Sequence, residues 1–310
     1  MEQMEFIRQT VEGTVGKRFP FDIDACDGAG LTVEWNGGTA SIAAEDKTAL
    51  ARGVFLLIQA VADGKTELHI RETRHIASCG AFIDCSRGAV MTVAACKKYI
   101  AAMAAIGMNL FVMYMEDTYT VPEYPYFGHL RGRYTAEELK ELDDYAASLG
   151  VELLPQIQTL AHLGQFLQWK AVDRLQDTKD CLMADEEETY RFIEAEIKAI
   201  RECFRTNRLH IGMDEAHNMG LIRYLRKYGV VDRYELLKRH LKRVVEICDK
   251  YHFHAMMWSD MFFRLGSAQN EYYDLESHLP DSVIAGLPNV DMVYWDYYHM
   301  EDRWYEHMLS

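Results

Sequence analysis

The sequence predicts an α/β chain in two parts: a small α+β domain over residues 1–75, then a TIM (β/α)8-type barrel, incomplete, over residues 76–310. Three observations carry that prediction. From about residue 80 onward, six short apolar runs alternate with stretches of helical periodicity. Before residue 75 the pattern is instead that of a hairpin and one helix. A carboxylate, a histidine or a large aromatic follows nearly every one of the six runs. Repeated strand then helix implies parallel strands, because parallel neighbours need a long crossover connection. A doubly wound open sheet is the second architecture that fits.

In the first part, Leu31-Thr32-Val33-Glu34-Trp35 and Thr39-Ala40-Ser41-Ile42-Ala43 flank Asn36-Gly37-Gly38. That is a hairpin, since glycine supplies the positive φ of a tight turn. A helix over residues 46–62 follows, with Leu50, Val54, Leu57 and Ile58 on one face. In the second part the strands fall at residues 81–83, 109–113, 151–154, 209–211, 255–258 and 292–295. Thr135-Ala136-Glu137-Glu138 has the capping-box pattern, in which hydroxyl and carboxylate each satisfy a free backbone N–H, and Gly150 closes that helix. Residues 186–204 and 233–251 carry the helical spacing of two further crossovers.

With 310 residues, 49% of them hydrophobic, the chain can bury a full core. A net charge of -15 spread along the chain disfavours nucleic acid and anionic membrane as partners. The acidic start, Met1-Glu2-Gln3-Met4-Glu5, is unlike a signal peptide, and no apolar run nears the roughly 20 residues that cross a bilayer. The expected location is the cytoplasm. The seven cysteines include no CxxC pair and mostly sit in apolar segments, as reduced core residues do.

In a barrel, chemistry gathers at the C-terminal ends of the strands. There the sequence places Asp84-Cys85-Ser86-Arg87, Glu116-Asp117, His162, Asp214-Glu215, Trp258-Ser259-Asp260 and Trp295-Asp296-Tyr297-Tyr298. Adjacent acids at a buried strand end repel each other, so Asp214 and Glu215 are read as a catalytic pair. The aromatics and remaining polar groups suit a sugar, whose C–H face packs on rings while its hydroxyls bond carboxylates. Each residue alone has a bland reading: acids at a helix N-terminus, a structural histidine, core tryptophans, an Arg87–Asp84 ion pair. Their shared position at one end of successive strands outweighs those readings.

His210-Ile211-Gly212-Met213-Asp214-Glu215 resembles the His-x-Gly-x-Asp-Glu signature of glycoside hydrolase family 20, the β-N-acetylhexosaminidases. Leu154-Pro155-Gln156-Ile157-Gln158 running to His162 is similar to that family's third-strand segment, and Trp258-Ser259-Asp260 to its fifth-strand Trp-x-Asp. The resemblance implies removal of terminal β-linked N-acetylhexosamine by substrate-assisted retaining catalysis through an oxazolinium intermediate. Asp214 would orient the acetamide and Glu215 would act as acid and base, with His162 and Asp117 or Glu116 in support. Arg87, Glu116, Trp258, Asp260, Trp295 and Tyr297 would bind the substrate, a GlcNAc- or GalNAc-containing oligosaccharide or glycoconjugate. No metal and no other cofactor is implied.

The chain also departs from that pattern. Cys79 stands where the family usually has an arginine, and Gln156 and Gln158 stand where acids are usual. Six strands are read where a barrel has eight, so the expectation is a barrel truncated after its sixth strand, with open edges that favour self-association. Two alternatives remain: a non-catalytic sugar-binding fragment, and a metal-dependent barrel hydrolase using His210, Asp214, Glu215 and His217.

Overall fold

The computed structural model describes residues 2–309 and holds ten strands in two sheets. The first sheet comprises β1 (Ile23–Asp27), β2 (Leu31–Trp35), β3 (Ala40–Ala44) and β4 (Leu68–Glu72), in the order β1-β3-β2-β4. The expected hairpin is its centre. β2 and β3 pair antiparallel from Leu31↔Ala44 to Glu34↔Ser41, and Gly37 takes a φ of 88° in the turn. Alternation puts Leu31, Val33 and Trp35 on the buried face together with Ala40, Ile42 and Ala44. The helix Lys47–Ala62 covers that face, and Gly53 allows the close approach, because a Cβ there would stand 2.9 Å from Ile42. Asp46 caps this helix by accepting the Ala49 N–H at 2.8 Å.

The second sheet comprises β5 (Gly80–Asp84), β6 (Leu110–Tyr114), β7 (Glu152–Gln156), β8 (Arg208–His210), β9 (His254–Trp258) and β10 (Asp291–Val293). Its order, β10-β9-β8-β7-β6-β5, is sequential, and the β7–β8, β8–β9 and β9–β10 pairs are parallel. All six expected strands are present. The crossovers carry the helices Val93–Ala105, Ala136–Ser148, Glu187–Arg201 and Arg233–Lys250. The last two bury a stripe at i, i+3, i+4 spacing, as with Phe192, Ile193, Ile197 and Ile200. Gly150, at a φ of 76°, ends the crossover before β7. Five cysteines, Cys85, Cys96, Cys181, Cys203 and Cys248, are buried. Among the described residues no helix is long and apolar enough to cross a membrane.

Packing groups the chain into two compact units that differ from the two sheets. One contains the chain up to Ile83 with Met91–Met113 and Glu137–Leu154; the other contains Asp84–Val90, Tyr114–Ala136 and the chain from Pro155 on. The helix Val93–Ala105 packs on Lys47–Ala62, and Thr48 Oγ1 donates to the Gly150 carbonyl at 2.9 Å, which draws the first two crossovers into the first unit. The C-terminal ends of the six strands fall in the second unit, and every residue of the site described below belongs to it.

Gly80 sits where β5 meets β6, and a Cβ on it would lie 1.7 Å from the Leu110 carbonyl oxygen. That obstacle is backbone, so it cannot rotate away. Gly80→Ala is expected to cost about 3 kcal/mol or more, measured by urea denaturation; a loss below about 1 kcal/mol would show that the two strands can part there.

Candidate active site

The chain leaves β8 at His210 and folds back within five residues. Gly212, Met213 and Glu215 have φ values of 71°, 70° and 51°. Glycine takes this region freely, but for methionine and glutamate it costs roughly 1–2 kcal/mol each. Side chains hold the turn in place. His210 Nδ1 accepts the Gly212 N–H at 3.2 Å, Gln158 Oε1 accepts the Met213 N–H at 3.3 Å, and Asp260 Oδ2 accepts the Glu215 N–H at 3.0 Å. Gln158 lies two residues beyond β7 and Asp260 two beyond β9, so the turn is gripped from both neighbouring strands. A Cβ at position 212 would meet Gln158 Oε1 at 2.2 Å, which fixes glycine there on steric grounds as well.

This grip presents Asp214 and Glu215, both half-buried, toward His162. His162 Nε2 lies 3.1 Å from Asp214 Oδ2 and 3.5 Å from Glu215 Oε2. Gln158 Nε2 donates to Asp214 Oδ1 at 2.9 Å and to the Tyr114 hydroxyl at 3.2 Å, and Tyr114 in turn donates to Glu116 Oε1 at 3.0 Å. An amide at position 158 is what this geometry needs, since a carboxylate could not donate to Asp214.

The neighbourhood divides its protons unequally. Burial works against charge on Asp214, but the His162 contact and the Gln158 hydrogen bond outweigh it and hold the acid below the usual carboxylate range. Burial likewise opposes charge on His162, yet Asp214, Glu215 and Glu116 together raise it above 6.5. Asp260 has no exposure; burial, then the Asp214 charge, lifts it to about 8. Burial also raises Glu116 and Asp117, despite Arg87 and Arg131. His210, buried against the Trp258 ring at 4.4 Å, is pushed by desolvation down to about 3 and is neutral.

Beside Glu215 opens a pocket of about 430 Å³ lined by Tyr272, Tyr273, Trp295, Asp296 and Tyr298 among others. Its size falls in the range of about 300–1,000 Å³ common for small-molecule sites. Trp295 packs edge-on to Tyr273 at 5.3 Å and tilted against Tyr272 at 5.9 Å. Asp296 accepts Tyr294 and His299 side-chain bonds and the Tyr298 and His299 N–H groups; burial opposes its charge, but these bonds take it down to about 2.

The structure brings Asp214, Glu215 and His162 together and places Trp295 on the same pocket as Glu215. Three expected roles change. Asp117 does not support His162; it is buried against Arg131 at 3.2 Å, and His162 turns to the acid pair instead. Asp260, expected to touch substrate, is fully buried under the turn. Glu116, expected to do the same, is 5% exposed and tied to Tyr114, with Arg87 at 3.7 Å and Arg131 at 3.6 Å. Arg87 is exposed, bonded to Asp84 at 2.6 Å, with its guanidinium over the Tyr114 ring at 4.7 Å. Trp258 is half-buried and Tyr297 is 79% exposed, its ring 5.7 Å from Trp295. Tyr114, Arg131, Tyr272 and Tyr273 were not foreseen. Tyr114 was findable, because it stands two residues before Glu116 and so shares its face at the strand end. Among the described residues no group of three or more His, Cys, Asp and Glu side chains can hold a metal. His210 instead binds the Gly212 N–H, and His217 bonds Tyr272 at 3.1 Å.

The sequence profile described as glycosyl hydrolase family 20, catalytic domain, matches residues 79–277. The chain belongs to glycosyl hydrolase family 20. Beta-hexosaminidase 3 of Arabidopsis thaliana is 24% identical to it over 250 residues, covering 73% of this chain and 46% of that protein. Hexosaminidase D of Bos taurus is 29% identical over 125 residues, covering 37% and 35%. This family 20 chain thus spans at most about half the length of the curated relatives it matches. Among solved structures, the Streptomyces plicatus N-acetyl-beta-hexosaminidase superposes with a TM-score of 0.70 at 19% identity, over 99% of this chain and 64% of that one. The exo beta-N-acetylglucosaminidase of Vibrio harveyi, in complex with N-acetylglucosamine, gives 0.70 at 14% identity, over 95% and 52%. The shared fold is the TIM barrel, here with six parallel strands among the described residues.

A histidine raised above 6.5 by its acid partners stabilises the fold fully below pH 6.5, and that contribution fades as pH rises through its folded value. His162→Asn tolerates the local φ of 57°. Its melting temperature is expected to fall further below wild type at pH 5.5 than at pH 9. Equal deficits at both pH values would show that His162 is not held as the charged partner of the pair.

Proposed function

We propose that this chain is a β-N-acetylhexosaminidase-type glycosidase, which removes a terminal β-linked N-acetylhexosamine with retention by substrate-assisted catalysis. The observation that carries the reading is the Asp214–Glu215 turn itself. Asp214 is fixed by Gln158, kept anionic by His162, and adjacent in sequence to a second, half-exposed carboxyl that opens on an aromatic pocket. Family membership and the N-acetylglucosamine bound in the Vibrio harveyi structure support the same substrate kind.

In this reading the acetamido oxygen of the substrate attacks the anomeric carbon while the bond to the leaving oxygen breaks. Glu215 donates a proton to that oxygen. The resulting oxazolinium carries positive charge next to Asp214, whose carboxylate orients the acetamide N–H through lone pairs not used by Gln158. Water then opens the ring at the anomeric carbon and returns a proton to Glu215, so acid and base are one residue in two states. Trp295, Tyr272 and Tyr273 offer apolar faces to the sugar.

Hydrolysis of 4-nitrophenyl N-acetyl-β-glucosaminide tests the reading. Glu215→Gln is expected to lower kcat by about 10²–10⁴-fold, Asp214→Asn to be similarly damaging, and the matching 4-nitrophenyl β-glucoside, which lacks the acetamide, to be left intact. Undiminished turnover by Glu215→Gln, or hydrolysis of the plain glucoside at a similar rate, would overturn it.

A further inference from the structure

The turn that bears the acid pair leans on a carboxyl that the proposed reaction does not use. Asp260 opens the short helix Asp260–Gly266 just after β9, with no solvent exposure. Its Oδ2 takes the Glu215 N–H, while Oδ1 is buried without a hydrogen-bond partner among the described residues. The titratable groups acting on it are Asp214 and Glu215 from the turn and Tyr272 and Tyr273 from the loop after its own helix. Arg264, one turn along that helix, faces away: it donates to the Asn270 carbonyl and lies over the Tyr272 ring at 4.6 Å.

We propose that Asp260 is a positioning residue, whose carboxyl oxygen clamps the left-handed backbone of Glu215 and thereby aims the Glu215 carboxyl at the leaving oxygen. The clamp is needed because a glutamate at a φ of 51° has a lower-energy conformation available, and the Asp260 bond is the contact that its own N–H makes. The clamp must also add no third negative charge beside two acids. Burial and the two neighbouring carboxylates lift Asp260 to about 8, so near neutrality it accepts the N–H as a protonated acid. Above that pH it ionises and sets a further negative charge beside Asp214.

The inference rests on the glycosidase reading, and its test separates the two. Asp260→Ala removes the acceptor. Its kcat is expected to fall about 10²-fold, with KM changed less than about threefold, because the error is in aim rather than in substrate binding. Asp260→Asn keeps a carbonyl acceptor and cannot ionise. It is expected to recover most of that loss. Crystal structures of both variants should show Glu215 left-handed in Asn and released in Ala. An Asn variant in which Glu215 leaves the left-handed region, or a kcat loss as large in Asn as in Ala, overturns the clamp; should Ala fail to fold, the Glu215 conformation and kcat of Asn still decide. If wild type hydrolyses nothing, the Glu215 conformation alone decides: release in Ala sustains the clamp while removing the reaction, and an unchanged turn in Ala removes the clamp.

Discussion

Backbone N–H groups in the turn at 212–215 find their acceptors on side chains, and the site depends on that exchange. A chain that reverses direction through three positive φ angles cannot satisfy itself by ladder or helix bonds. His210, Gln158 and Asp260 supply what the backbone lacks, and each sits on or just beyond a different strand of one sheet. The strain of holding Met213 and Glu215 left-handed, roughly 1–2 kcal/mol each, is offset by bonds each worth about 0.5–1.5 kcal/mol. The result is a pair of adjacent carboxyls pointed by backbone geometry rather than by their own flexible side chains.

Four acids at this turn and in the network behind it are shifted in opposite directions by their surroundings. Asp214 keeps its charge because His162 and Gln158 face it. Asp260 gives its charge up because burial and its acidic neighbours face it. Glu116 and Asp117 are raised by burial but moderated by Arg87 and Arg131, with Tyr114 carrying a hydrogen bond between Gln158 and Glu116. Carboxyls of nearly equal intrinsic strength are thus pushed apart by environment, which is how one site acquires both an anion and proton carriers at the same pH.

Much of this was legible in the sequence because it is written locally. All six parallel strands, the 31–44 hairpin and the helix stop at Gly150 follow from period and glycine placement. What escaped lacks such a local mark. β1 is mostly exposed and polar, an edge strand without alternation, and the helix Glu2–Val15 buries only Ile7 and Val11. The collection of chemistry at strand ends was readable from topology, but the partner of each group was not. Nothing near Asp117 in sequence announces Arg131, and Trp258-Ser259-Asp260 reads equally well with its acid in the pocket or beneath it. Tyr272 and Tyr273 come from an irregular loop, where no period says which way a ring will face.

The Gln158 amide ties the site to the assembly of the sheet in a further way. It reaches the turn only when β7 and β8 pair with Gln156 opposite His210, and Asp260 reaches it only when β9 pairs with His210 opposite Met256. A slip of one residue in either pairing would point the anchor it carries to the wrong face. Core burial and site assembly therefore demand the same register, so the acid pair is a sensitive reporter of correct strand pairing.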